Sequence, residues 1–231
     1  MKLERISKTE IKRRIKAHSQ WLKNRETGKQ ADFSYCDLMG VDLSFNNLSY
    51  AKFVGADLSH VKLNYCDLSH ADFSHAKLRS TKIWHSNACF AKFDFANLMG
   101  ADSQSTDFLC ASFIGANLRY TRWTNANIRD CKFQKATINW YSRELVGQLL
   151  EQAAWQGDSM SALYHRRLDL AILIGNKAGE CWKEWLALDH PDTDWAVSVL
   201  MKYVNEEDDA PDSLTTYKSK LNKALESFLS K

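Results

Sequence analysis

Residue types that carry chemistry are spread along this chain instead of gathered at one place. His60, His70, His75 and His85 stand at spacings that are multiples of five. On a chain that turns a corner every five residues they map to four different sides and cannot converge on one metal or substrate. His165 and His190 are isolated, and Asp189-His190 has no motif-placed Ser or Cys nucleophile to activate. The six cysteines show no C-x-x-C spacing, and neither a P-loop nor a dinucleotide fingerprint occurs. The expectation is a protein that is not an enzyme and holds no cofactor or metal. Rows of aromatic side chains are what the residue types do offer. Phe45, Tyr65 and His85 recur at intervals of twenty, as do Tyr50, His70 and Phe90, with Trp84 beside them. Such rows suit docking of a protein partner, because aromatic residues concentrate in interface cores. Packing of the same rings beneath the terminal segments is the other reading.

The element that must position them is a repeat. From Ala31 to Trp140 the chain repeats every five residues, twenty-two times, without insertion. The unit is small, polar, large apolar, then two variable residues. The central position is large and apolar in twenty units, with Ala88 and Ser103 the exceptions. Five fits neither a helical period nor strand alternation, but it fits a solenoid. A period of twenty sits on top of it. One column reads Phe33, Phe53, Phe73, Phe93, Phe113, Phe133, and the next reads Leu38, Leu58, Leu78, Leu98, Leu118, Ile138. Four units therefore make one coil, with the phenylalanine column as a core ladder. Five and a half coils at strand spacing give a rod of roughly 26 Å. The third column (Leu43, Leu63, Ile83, Ser103, Trp123) and the fourth (Leu48, Leu68, Ala88, Phe108, Ile128) each hold one small residue. Volume compensation in the interior explains this; a local bulge near residues 84–125, open to a partner, is the alternative.

The unit resembles the A(D/N)LXX motif of the pentapeptide-repeat family over residues 31–140. The resemblance implies a right-handed, four-sided β-helix. It also implies a runner-up function, since the family's quinolone-resistance Qnr members are DNA mimics that bind type II topoisomerases such as gyrase: a DNA mimic that binds gyrase or another DNA-binding protein.

Repeat-position Asp residues need no chemistry: a short polar side chain can bond the backbone at a corner. Along the first side Asp32, Lys52, Asp72 and Lys92 alternate, which suggests weak cross-coil pairing. Cys36, Cys66 and Cys131 replace Ala at the inward small position. Cys89 and Cys110, one coil apart on outward positions, admit a disulfide, although free thiols in a reducing cytoplasm are the simpler expectation.

Three domains follow. Residues 1–30 carry ten Lys or Arg against three acids. Ser7 and Glu10 form a capping box, Ile11, Ile15, His18, Trp21 and Leu22 make a stripe, and Gly28 is the expected stop. This helix is read as a cap over the solenoid's open edge; nucleic-acid binding through its basic face is a further alternative. Residues 31–140 are nearly neutral, with eleven basic and ten acidic residues. Residues 141–231 read as a helical domain, with helices over 142–155, 161–176, 182–188, 194–203 (capped by Thr193) and a last one from Asp212 or Ser213 through Leu229. It caps the rod, binds a partner or forms a homodimer. No apolar run suits a membrane. The expected function is a rigid, cytoplasmic, non-enzymatic interaction module.

Overall fold

The computed structural model describes residues 3–138, 142–155 and 192–201. The chain divides into two compact units, residues 1–136 and 137–231.

In the first unit, parallel bridges join each coil to the next at a constant offset of twenty. Asp32 pairs with Lys52, Asp37 with Asp57, Asp42 with Lys62 and Asn47 with Asp67, and the series runs on to Ser112 with Lys132. Each rung uses two bonds: Lys52 N–H donates to the Ala31 carbonyl at 3.0 Å, and Phe33 N–H donates to the Lys52 carbonyl at 2.7 Å. Four sides per coil are thus set by the backbone itself. The corners are tight turns. Cys36 N–H donates to the Phe33 carbonyl at 3.1 Å, and Tyr35, the third residue of that turn, has φ 56°. A type II turn needs positive φ there. All fifth-position residues from Tyr35 to Lys135 have it.

The inward positions explain the motif. Phe33, Phe53, Phe73, Phe93 and Phe113 are fully buried, and Phe133 nearly so. Their rings stack with centroids 5.3, 4.8, 4.9, 5.0 and 5.3 Å apart down the column. Asp and Asn at the second position bond the corner: Ser34 N–H donates to Asp32 Oδ1 at 2.9 Å, and Ser59 N–H to Asp57 Oδ1 at 3.1 Å. At some inward positions that carry a donor, the side chain reaches the core residue of the preceding coil. Thr81 Oγ1 donates to the Leu58 carbonyl at 2.8 Å, and Ser86 Oγ to that of Leu63 at 2.7 Å.

The bulge near residues 84–125 does not form. Bridges Lys82–Asp102, Asn87–Asp107, Asp102–Arg122 and Asp107–Asn127 continue through it. Ala88 and Ser103 leave room that larger rings one coil on occupy. Phe108 meets Phe93, Phe113 and Trp123 edge-on at 5.8, 5.4 and 5.3 Å, and Trp123 is fully buried. The alternating first-side residues are bridge partners, but the cross-coil ion pairs among the described residues lie on the second and third sides. These are Lys77–Asp57 at 3.4 Å, Lys62–Asp42 at 3.7 Å and Arg122–Asp102 at 3.0 Å.

The N-terminal segment supplies a strand as well as a helix. β1 (Glu4–Arg5) pairs in parallel with β2 (Cys36–Asp37), so it extends the second side by one rung. α1 (Lys8–Lys23) starts at Ser7, whose side chain accepts from Glu10 N–H at 3.1 Å. Arg13 and Arg14 both donate to the Glu10 carboxylate, holding its pKa down at about 2. Ile11 and His18 are buried, while Ile15, Trp21 and Leu22 are half-buried. The helix ends at Lys23 with Asn24 as its cap, four residues before the expected stop. Gly28 has another task. It crosses α1 at φ 73°, where a Cβ would lie 2.3 Å from the Ala17 carbonyl oxygen.

In the second unit, α2 (Arg143–Trp155) begins at Ser142, whose Oγ accepts from Leu145 N–H at 3.2 Å. α3 (Thr193–Leu200) has Asp192, not Thr193, at its N-cap position, without a side-chain capping bond. The two helices pack together, burying Leu145, Leu149 and Leu150 of one and Ala196, Val197 and Leu200 of the other. The helices expected over 161–176, 182–188 and 213–229, and the extension of 194–203 past 201, lie outside the described residues. No helix among the described residues is long and apolar enough to cross a membrane.

Candidate functional site

The corner turns decide which residues face outward. A side chain at the positive-φ position projects from the corner, and the next coil places its counterpart one strand spacing away. On the corner after the third side, Phe45 stacks on Tyr65 and Tyr65 on His85, both at 5.1 Å. On the corner after the fourth side, Tyr50 stacks on His70 at 4.6 Å and His70 on Phe90 at 5.0 Å. These six residues therefore form two continuous stacks. Phe45 is 77% exposed, Tyr65 53% and Phe90 49%, so the rings offer their flanks to solvent.

Trp84 stands apart from both stacks. It occupies the fourth position of its unit and is half-buried, and Lys82 Nζ lies 4.8 Å from its ring centroid. Tyr50 is partly engaged within the chain. The Arg25 guanidinium lies 5.0 Å from its ring centroid, and Gln30 Nε2 donates to its carbonyl at 2.6 Å. Tyr50 thus packs in part against the N-terminal segment, and the open surface centres on Phe45, Tyr65, His85, His70 and Phe90.

Sequence reading missed a third stack. His75 and Phe95 stack at 5.2 Å on the corner after the first side, and Tyr120 is 68% exposed on the corner after the second. The same twenty-residue column reading would have found the pair. A glycine in that column shows how such rings are seated. Gly55 follows Tyr35 by one coil, and a Cβ on it would lie 2.6 Å from the Tyr35 ring. The ring therefore leans over the next coil's backbone, which only glycine leaves clear.

The remaining polar groups perform structural tasks. The described cysteines are free thiols, Cys89 and Cys110 among them. Burial pushes the Cys66 and Cys89 thiols up to about 11. Burial opposes ionisation of Asp57, but hydrogen bonds from Ser59 and the Lys77 ammonium hold its carboxyl below the usual range. No group of His, Cys, Asp and Glu among the described residues could hold a metal. The corner stacks can therefore offer dispersion and cation–π contacts to a partner.

The family model for pentapeptide repeats matches in eight copies over residues 29–64, 66–102 and 106–140. No curated protein sequence matches the chain. Among solved structures, HetL from the cyanobacterium Nostoc sp. Strain PCC 7120, a pentapeptide-repeat protein involved in heterocyst differentiation regulation, is 28% identical at a TM-score of 0.29. The match covers 48% of this chain and 56% of HetL, so this chain spans little more than half of that relative. Rfr23 from Cyanothece 51142 is 17% identical over 54% of this chain and 99% of its own, with a TM-score of 0.36. QnrB1, a plasmid-mediated fluoroquinolone resistance protein, is 22% identical over 47% of this chain and 70% of its own, with a TM-score of 0.25.

Proposed function

From the pentapeptide-repeat match over residues 29–64, 66–102 and 106–140, we propose that this protein is a non-enzymatic interaction module that docks a protein partner on its corner aromatics. The observation that carries the proposal is the pair of exposed stacks, Phe45–Tyr65–His85 and Phe90–His70–Tyr50. The solenoid holds these rings at fixed spacing through a continuous ladder, so little side-chain entropy is left to lose on docking. We take the coil to be right-handed, and the C-terminal unit to serve capping or self-association. We take the compartment to be a reducing cytoplasm, in which Cys89 and Cys110 stay free thiols.

The alternative of an acidic DNA mimic acting on gyrase finds little support in the distribution of charge. The fourth side carries three acidic residues against one basic, while each of the other three carries one more basic residue than acidic. Both readings meet in one experiment. Intact protein and a Tyr65→Ser, Trp84→Ser, Phe90→Ser variant are used as bait in the native host lysate, and gyrase supercoiling is assayed in parallel. The docking reading expects one specific partner, lost from the variant, since hot-spot aromatics contribute roughly 2 kcal/mol or more each. Gyrase inhibition relieved by changes at Asp37, Asp57 and Asp67, yet indifferent to the aromatic changes, would put the mimic first.

A further inference from the structure

The first coil presents an outer edge that the N-terminal segment covers unevenly. On the first side, Arg14 Nη1 donates to the Asp32 carbonyl at 2.8 Å. On the second, β1 adds a parallel rung. On the third, the Asp42 N–H and carbonyl have no partner among the described residues, although the inner rung is complete: Leu43 N–H donates to the Lys62 carbonyl at 2.9 Å and Lys62 N–H to the Val41 carbonyl at 3.1 Å. Asn47 on the fourth side likewise makes only an inner rung, but it does not line the groove described next.

Beside the open third edge runs a groove of about 670 Å³ between α1 and the first coil. Its helical wall carries Lys8, Lys12 and Lys16, all exposed and four residues apart, so they share one face. Its floor is apolar, formed by Ile11, Ile15, Val41 and Leu43, with Met39 on the rim and 61% exposed. Asp42 is the one acidic residue among those that line it besides the three lysines.

We propose that this groove binds an extended acidic peptide of a partner protein, which adds a strand to the Val41–Leu43 edge. A peptide carbonyl accepts from Asp42 N–H and a peptide N–H donates to the Asp42 carbonyl, reproducing the rung that every lower coil makes. Alternate side chains of a strand point to opposite faces. One set meets the apolar floor and the other, acidic, meets the lysine row. Main-chain pairing supplies affinity and the flanking pockets supply specificity, as in other strand additions. A free backbone edge over an apolar floor matches a peptide better than a nucleic acid, whose binding rests on many phosphate contacts. The site lies at the capped end, and Tyr65, Trp84 and Phe90 do not line it.

The test is fluorescence anisotropy of the full chain with a labelled octapeptide of alternating Glu and Val. Saturable binding is expected, weakened about tenfold or more by Lys8→Glu, Lys12→Glu and Lys16→Glu together, with circular dichroism confirming that the variant keeps its fold. A Lys-Val octapeptide should not bind. N-methylation of alternate peptide amides, which leaves the protein untouched, should abolish binding in one of its two registers. The Tyr65→Ser, Trp84→Ser, Phe90→Ser variant should bind the peptide as the parent does, which separates this site from the aromatic rows. No binding of the Glu-Val peptide, equal binding of both N-methylated registers, or preference of the lysine row for duplex DNA overturns the proposal.

Discussion

Aromatic ladders run both inside and outside this solenoid, and they stack at nearly the same distance. The inner rings of Phe53, Phe73 and Phe93 are 4.8 and 4.9 Å apart, and the outer rings of Phe45, Tyr65 and His85 are 5.1 Å apart. Both arise from the same cause, identical positions one coil apart. Their energetics differ. Phe73 is fully buried and by burial alone contributes about 1.5–3 kcal/mol. Tyr65 keeps half its surface in water and sits at φ 55°, a left-handed backbone that costs a non-glycine residue about 1–2 kcal/mol. Regular stacking therefore does not identify a core. Position within the five-residue unit does, and the outer ladder is a feature the fold tolerates without requiring.

The largest contrast between the ladders should come from the same substitution placed in each. Phe73→Asp sets a carboxylate between Phe53 and Phe93 with no partner, and the solenoid should not fold. Phe73→Leu should cost about 1 kcal/mol. Tyr65→Asp should still fold, melting only some degrees below the parent because it loses its two stacks and nothing in the core. Circular dichroism and thermal melts check all three. If Phe73→Asp melts like Tyr65→Asp, the distinction between the ladders is wrong.

A smaller effect is expected at the capped end. Gly28→Ala drives a Cβ into the Ala17 carbonyl oxygen at 2.3 Å and the Trp21 nitrogen at 2.7 Å, so α1 must shift. The variant should lose several degrees in melting temperature, and deletion of residues 1–28 should go further and give aggregation, because it bares the Phe33 layer and strand edge. A soluble, folded deletion variant would show that the cap is dispensable.

How far these features were legible in the sequence depended on their periodicity. The phenylalanine column, the four-sided coil and the corner stacks all follow from residues at fixed intervals. Ser7 was legible because a cap is a local signal. β1 was not: Glu4-Arg5 is too short to show alternation, and its partner is thirty-two residues away. Gly28 was mistaken for a helix stop because its constraint comes from α1 crossing in space. The positive φ of the fifth position was hidden by Phe and Tyr, which seldom adopt it. The groove beside Asp42 exists only once α1 is laid on the coil, so no spacing could reveal it.

The buried histidine of the cap gives a weaker, pH-dependent effect. His18 is fully buried, and its Nδ1 accepts from Ala31 N–H at 3.1 Å. Burial lowers its pKa and the Arg25 charge adds to this, outweighing a backbone hydrogen bond at Ser49. The folded value lies below the unfolded one, so the unfolded chain binds the proton more readily. Stability is then fully present above about pH 6.5 and falls as the pH drops below it. Melts at about pH 7.5 and pH 5 should differ, and His18→Gln, which keeps an acceptor for Ala31 but cannot titrate, should reduce that difference. An unchanged difference in the variant would move the effect elsewhere.

The smallest expected effects separate the two opposing terms at an outer position. Tyr65 gains stacking on Phe45 and His85, worth about 0.5–1.5 kcal/mol per pair, and carries the left-handed backbone cost of about 1 kcal/mol. Tyr65→Ala keeps the cost and loses both stacks, so it should destabilise by about 1–3 kcal/mol. Tyr65→Gly loses the stacks but also the cost, since glycine adopts positive φ freely. It should therefore lie about 1 kcal/mol or more above Tyr65→Ala, reversing the order expected at an ordinary strand or helix position. Denaturant unfolding of the two variants resolves the order. Equal loss in both would mean that the ring alone matters and that the corner exacts nothing. A greater loss in Tyr65→Gly would mean that chain entropy outweighs the strain, and the outer ladder would then be more costly to remove than its exposure implies.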